Sequence, residues 1–580
     1  MLKFVLLPLL CLMFACPAAV AAQSAPPSEG SPASVSASQG AVRIDADASQ
    51  LRGEYKPVWN YFGADEPNYG YAPNGVKLLR ELAALPGSTT SGGKPTPVYM
   101  RVHNLLTTGN GEASLKWGST NVYTEDANGK PVYNWTITDR IFDTYRAAGI
   151  APLVEVGFMP EAMSTHPEPY RHNFPKSGGG GSIFTGWSYP PKDYAKWEGL
   201  VEAWSAHLRD RYGAAVVNTW LWEVWNEPDI PYWHGTPEEY DKLYDYTAFA
   251  IRKSLPEARI GGPEATGPGG DRAKEFLRQF LEHCARGKNA ATGAAGAPLA
   301  FISFHPKGSP HMVDGHIRMG IRNQLMAADN GFKVVAASEF KDLPIIMGEF
   351  DPEGCAACGG PNSAYRNGPL YGVSVAEEMA RAQQLARMDG VNLKGAVTWA
   401  FEFEGQPWFA GLRDLATNGV DKPVLNVFRM MGMLGGDWIK VNSDGALPVA
   451  DILRDGVTGP ADLDAVGTRT AHEVDVLVWN YNDDDVAVAA TPVSLHVAGL
   501  QWDRVKVEQF LMDGSHSNSY AAWLKMGSPQ KPSAEQVEEL EKAGRLEKIA
   551  GPGTVAVKNR SAVVDLNLLR QGVELVRLSW

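Results

Sequence analysis

Two glutamates stand where this sequence could do chemistry. Glu227 closes the run Trp220-Leu-Trp-Glu-Val-Trp-Asn-Glu-Pro-Asp229, and Glu349 closes Ile345-Ile-Met-Gly-Glu-Phe350. The first run opens β-branched and aromatic, as a buried strand does, and Pro228 stops it by removing a backbone donor. A carboxylate at each of two strand mouths is what cleavage of a glycosidic bond through a covalent intermediate requires, with the two carboxyls about 5–5.5 Å apart. One must carry a proton for the leaving oxygen, which an apolar setting favours; the other must be ionised to attack the anomeric carbon. Trp220, Trp222 and Trp225 offer Glu227 that apolar setting. Gly348 lets the backbone before Glu349 approach its neighbours closely. The plainer reading of either glutamate is a strand-end residue capping the next helix.

The elements that must position such a pair are legible. Eight short apolar runs alternate with amphipathic segments: 58–62, 98–102, 152–156, 219–225, 259–262, 301–304, 343–347 and 395–399. Between them fall helical patterns such as 76–84, 137–148, 195–212, 237–255 and 375–389. This alternation predicts an α/β chain with a closed (β/α)8 TIM barrel over residues 42–430, and active sites in such barrels sit where strands end. The residues just past the runs are then candidates: Glu66, His103, Asn104, Glu161, Asn226, Glu227, Glu264, His305, Lys307, Glu349, Asp351, Glu402 and Glu404. Residues 431–580 alternate or run short around turns such as Asn482–Asp485, which predicts a β-sandwich accessory domain. Strands are expected at 475–481, 486–490, 493–497, 505–510, 554–557, 562–566 and 574–578. One polar helix interrupts them, Ser533–Ala543, capped by Ser533 with Gln536 three residues on. Residues 41–44 fit either sheet.

Composition narrows the function. A formal charge of −13 excludes a general nucleic-acid binder, while 17 tryptophans suit stacking on sugar faces as well as core packing. Residues 1–22 read as a signal peptide and 23–41 as a disordered leader, so the protein is expected to be secreted or periplasmic, with no membrane span. Cys355-Ala-Ala-Cys358 lacks the second ligand pair of a zinc site; a local disulfide is expected, with Cys284 a buried thiol and neither metal nor cofactor. The glycine-rich 177–182 reads as a mobile loop between the third and fourth strands.

Together, Trp-Asn-Glu227-Pro and Gly-Glu349-Phe resemble the retaining glycosidases built on this barrel. The longer match, Glu223–Asp229 with Arg101-Val-His103, Ser303-Phe-His305 and Val476–Tyr481, resembles glycoside hydrolase family 39, over about residues 45–580. That family holds β-xylosidases and α-L-iduronidases. The resemblance implies Glu227 as acid/base and Glu349 as nucleophile, Asn226 on the sugar 2-hydroxyl, His103 and His305 lining the glycone pocket, Trp399 as a platform under the ring, and Glu404 (or Glu402) on sugar hydroxyls. The alternative for each histidine is a hydrogen-bonded core residue, which placement at a strand end beside the carboxylates disfavours, and for Trp399 a packing residue. The main departure is Lys307, where family xylosidases often carry Tyr and iduronidases carry Lys. A lysine there meets a uronate carboxylate or simply pairs with Glu349. The expected function is a retaining exo-β-xylosidase acting on xylo-oligosaccharides. The alternatives are an α-L-iduronidase-like uronidase, an α-L-arabinosidase and a catalytically inert sugar-binding barrel.

Overall fold

The computed structural model describes residues 40–85, 96–114, 118–171, 185–399 and 401–580. The segments expected as a signal peptide (1–22), a leader (23–41, as far as residue 39) and a glycine-rich loop (177–182) lie outside the described residues. Eight parallel strands close into a barrel: Tyr61–Ala64, Tyr99–Val102, Ala151–Val156, Leu221–Val224, Arg259–Thr266, Phe301–His305, Pro344–Met347 and Asn392–Trp399. Each falls on an expected run, shifted by a few residues at most. The surrounding helices follow the amphipathic segments, including Thr136–Ala148, Tyr194–Tyr212 and Pro237–Ser254. The last of these begins with a capping box, Thr236 and Glu239 each bonding the other's backbone N–H.

Strand alternation decides which side chains reach the barrel interior. In the fourth strand Glu223 turns inward beside its ladder partner Glu155. Trp222 turns outward to Trp204 on helix Tyr194–Tyr212, and Trp220 stacks on Phe142. The expectation that Trp220 and Trp222 surround Glu227 is therefore corrected: a period of two sends them to the helix layer. Trp225 alone stays with the strand mouth, its indole N–H donating to the Tyr232 carbonyl at 2.9 Å.

The second sheet has ten strands and one long path from Glu547–Ile549 through Arg504–Met512, Gly572–Ser579, Glu473–Tyr481, Asp462–Arg469, Asp437–Ser443, Val42–Glu54 and Thr491–Ala498 to Ser561–Leu568. Strands from both ends of this path share one apolar core, which includes Ile44, Val476, Leu495, Val507, Val564 and Val576. Residues 41–44, open between the two sheets from sequence, fall at the start of strand Val42–Glu54, which belongs to this second sheet, parallel to Thr491–Ala498 and antiparallel to Asp437–Ser443. Residues 486–490, expected as a strand, form none; Val486 and Val488 are exposed, so no apolar face holds them in a ladder. Strands Asp437–Ser443 and Asp462–Arg469 carry too little apolar alternation to stand out in the sequence. The polar helix forms at Ala534–Ala543, with Ser533 and Gln536 closing the expected capping box.

The strand Glu473–Tyr481 is buried on both faces. Val474, Val476 and Val478 face the sandwich core, while Leu477, Trp479 and Tyr481 join the barrel's cluster. The Trp479 indole N–H donates to Glu377 on helix Pro369–Asp389. On the same helix Arg381 pairs with Asp462 and Glu377 and lies 3.1 Å from Asp464. Removing one partner of a buried ion cluster costs roughly 3–5 kcal/mol. Arg381→Leu is therefore expected to lower the thermal unfolding midpoint by several degrees in calorimetry, whereas exposed Arg454→Leu should leave it within a degree or so.

Candidate active site

Glu227 leaves the fourth strand in the left-handed region, φ 46°, next but one to Trp225 at φ 70°. Such conformations are costly for non-glycine residues and persist where the surroundings hold them. The hold is visible. The Glu227 backbone N–H donates to the Glu264 carbonyl at 2.8 Å. Asp229, two residues on, accepts from the Thr266 backbone N–H at 2.7 Å and from its hydroxyl. A Cβ at Gly348 would collide with the Glu264 carboxylate and stand 2.9 Å from His305 Nε2, so only glycine lets the seventh strand come this close.

Glu227, His305 and Glu349 each present an atom within 4.8 Å of the others. Four basic groups face the Glu349 carboxylate: Lys307, Arg101 at 3.2 Å, His103 Nε2 at 3.3 Å and His305 Nδ1 at 3.9 Å. Burial alone would raise its pKa, but Lys307, His305 and His103 outweigh it and hold the group well below the usual carboxylate range. The trio has the donor types of a metal site. Lys307 and Arg101 already supply the positive charge at Glu349, which leaves a cation little to gain there.

Beneath the pair lies a charged layer. Arg101, wholly buried, meets Glu223, Glu155 at 3.0 Å, Glu264 at 3.4 Å and Glu349. It also donates to Asn226 Oδ1 at 3.0 Å. A guanidinium only donates, so the amide oxygen must face it and the amide N–H2 faces the other way. Burial lifts Glu223 well above its ordinary pKa. At Glu264 burial is outweighed by Arg101, Glu223 and His305, which bring the group down to about 2. Burial and Arg101 thus push the two neighbouring carboxyls in opposite directions.

The candidates separate by placement. His103 bridges Glu155, at 2.6 Å, to Glu349. His305 has no exposed side-chain surface, and its ring nitrogens meet Glu227 at 3.0 Å and Glu264 at 2.6 Å. It reaches the pocket through Glu227 instead of lining it. Trp399 is 1% exposed; His103 and the Arg101 guanidinium pack on its ring, and its N–H donates to Asp65 at 2.7 Å. So little exposed face makes it part of the floor. Lys307 faces both Glu349 and Asp351, the latter at 3.2 Å. Glu402 turns away to the Gly419 N–H, and Glu404 sits by the Asn74 backbone, near Tyr69. Arg101, Glu155 and Glu223 lie inside their strands, where a reading of strand ends passes over them; Glu264 is in that reading, but without a role. Their signal is a charge inside an otherwise apolar strand, which demands a partner.

A sequence profile of the glycosyl hydrolases family 39 matches residues 99–558. The chain belongs to glycoside hydrolase family 39. It is a glycosidase, and its substrate is a carbohydrate. A β-xylosidase of Caldicellulosiruptor saccharolyticus is 27% identical over 450 residues, 76% of this chain and 82% of the relative. An α-L-iduronidase of Mus musculus is 28% identical over 373 residues, 60% of this chain and 56% of the relative. The crystal structure of a monomeric β-xylosidase from Caulobacter crescentus shares the fold, with a TM-score of 0.70 at 22% identity, covering 93% of this chain and 99% of that one.

Replacing Lys307 with Met removes the strongest cationic influence on Glu349 and makes that carboxylate more basic. The acid limb of the pH profile of kcat/KM is expected to move upward by about one unit or more. An unmoved limb would show that Lys307 does not hold Glu349 ionised.

Proposed function

We propose that this family 39 glycosidase is a retaining exo-enzyme that releases terminal β-D-xylose from xylo-oligosaccharides. The observation that carries the retaining mechanism is the approach of Glu227 and Glu349, with an oxygen of each within 4.8 Å. An inverting pair stands about 6.5–9.5 Å apart to leave room for water. Glu349 attacks the anomeric carbon while Glu227 gives its proton to the departing oxygen, and an ester to Glu349 forms as the C–O bond breaks. Water then attacks the same carbon, Glu227 takes the water's proton, and the ester bond breaks with the configuration restored. Asn226, its amide held by Arg101, offers N–H to the sugar's 2-hydroxyl.

The xylose reading is supported by the coverage of the β-xylosidase relatives and by Lys307, whose ammonium is already shared between Glu349 and Asp351. The uronidase reading has a specific observation behind it as well: Lys307 keeps 16% of its side chain exposed beside the nucleophile. The Cys355–Cys358 disulfide suits an oxidising compartment, in keeping with export on residues 1–22.

Side-by-side assay of nitrophenyl β-xyloside, α-arabinoside and α-iduronide is expected to show the xyloside turned over fastest; a faster iduronide overturns the glycone assignment. Proton NMR of the first product should show the β-anomer. Glu349→Ala should lose at least about 10⁴-fold in kcat, with azide restoring some turnover as the inverted glycosyl azide. Glu227→Ala should damage poor leaving groups far more than dinitrophenolate, which needs no proton.

A further inference from the structure

His305 is placed between two carboxylates, and this has an atom-specific consequence for Glu227. Its Nε2 lies 2.6 Å from Glu264 Oε2 and its Nδ1 3.0 Å from Glu227 Oε1. Glu264 is wholly buried and anchored from behind by Arg101 at 3.4 Å, with Glu223 beside it. The other charged groups near the ring are Glu349, 3.9 Å from Nδ1, and Arg101; Lys307 lies near Glu227, and Tyr240 is the further titratable group near Glu264. A neutral imidazole has one N–H and one lone pair, so it can donate to only one of its two carboxylate partners. The imidazolium donates to both.

We propose that Glu264 is a positioning residue that keeps His305 a double donor, so that Glu227 Oε1 is always occupied as an acceptor and the catalytic proton is confined to Oε2. The inference rests on the acid/base reading of Glu227. In the first step the proton on Oε2 moves to the glycosidic oxygen, the bond from that oxygen to the anomeric carbon breaks, and its electron pair stays on the oxygen. The carboxylate left behind meets an N–H that is already in place. In the second step Oε2 takes the proton of water, and Oε1 again takes no part. His305 gains and loses nothing. Burial would lower its pKa, but Glu349, Glu227 and Glu264 together outweigh burial and push it up to about 9. A pKa raised from the usual 6.5 means the double donor is present at neutral pH and is lost as pH rises through about 9.

Without the charge of Glu264, Glu349 and Glu227 alone hold the second ring proton and it is lost at lower pH; the neutral ring keeps its N–H toward position 264 and turns a lone pair on Nδ1 to Glu227. The proton is then drawn to Oε1, away from the leaving group. Glu264→Gln is expected to raise the ratio of kcat/KM for dinitrophenyl β-xyloside to that for methoxyphenyl β-xyloside at least tenfold. The alkaline limb for the methoxyphenyl substrate should fall by a unit or more. Histidine-selective ¹⁵N NMR of the unaltered enzyme at pH 7 should show two ring protons on His305, a measurement that stands if Glu264→Gln does not fold. A single ring proton, or an unchanged ratio in folded Glu264→Gln, overturns the proposal. An unchanged ratio in Glu227→Ala would instead fall on the acid/base assignment.

Discussion

Arg101 is a permanent charge with no access to water, and the geometry of the site follows from satisfying it. A guanidinium does not release its proton in a protein, so carboxylates must be brought to it. Four are: Glu155, Glu223, Glu264 and Glu349, each from a different barrel strand or strand end. The barrel's parallel register makes this possible by setting inward positions of neighbouring strands level, as Glu155 and Glu223 are. Three of the four, Glu155, Glu264 and Glu349, then have a second contact to make or a face to turn to the cavity. Glu155 holds His103, Glu264 holds His305, and Glu349 is left facing the cavity with cations around it.

Glu227 and Glu349 differ because their neighbours differ. Lys307, His103, Arg101 and, at 3.9 Å, His305 all bear on Glu349, whereas Glu227 meets His305 at 3.0 Å and stands on a left-handed backbone tied to the fifth strand. Glu349 is held by charge and Glu227 by hydrogen bonds and backbone. Strain at Glu227 is sustained by the Glu264 carbonyl and the Asp229–Thr266 contacts, and these make the fifth strand as much a part of the site as the fourth.

The accessory sheet belongs to the same compact unit as the barrel, Ala41–Trp580. Its strand Glu473–Tyr481 feeds side chains to two cores at once, and helix Pro369–Asp389 meets it and its neighbour Asp462–Arg469 with Glu377 and Arg381. Strands from the two ends of the chain, Val42–Glu54 and Gly572–Ser579, lie in that one sheet, so the barrel's stretch of sequence is bracketed by segments that meet only after folding.

By itself the sequence determined the alternation of strand and helix, the placement of Glu227 and Glu349 at strand ends, and the family. These are local properties: apolar periodicity, a proline stop, and short motifs. It did not determine what surrounds the pair. Trp220 and Trp222 precede Glu227 closely, yet alternation turns them to the helices, and the partners that matter, Glu264, His305 and Lys307, come from later strands. For His305 and Trp399 the sequence left a pocket-lining and a buried reading side by side, and barrel closure decided for burial. Which carboxylate meets which cation depends on barrel closure and register, because an ion pair's strength is set by distance through space and not by separation along the chain.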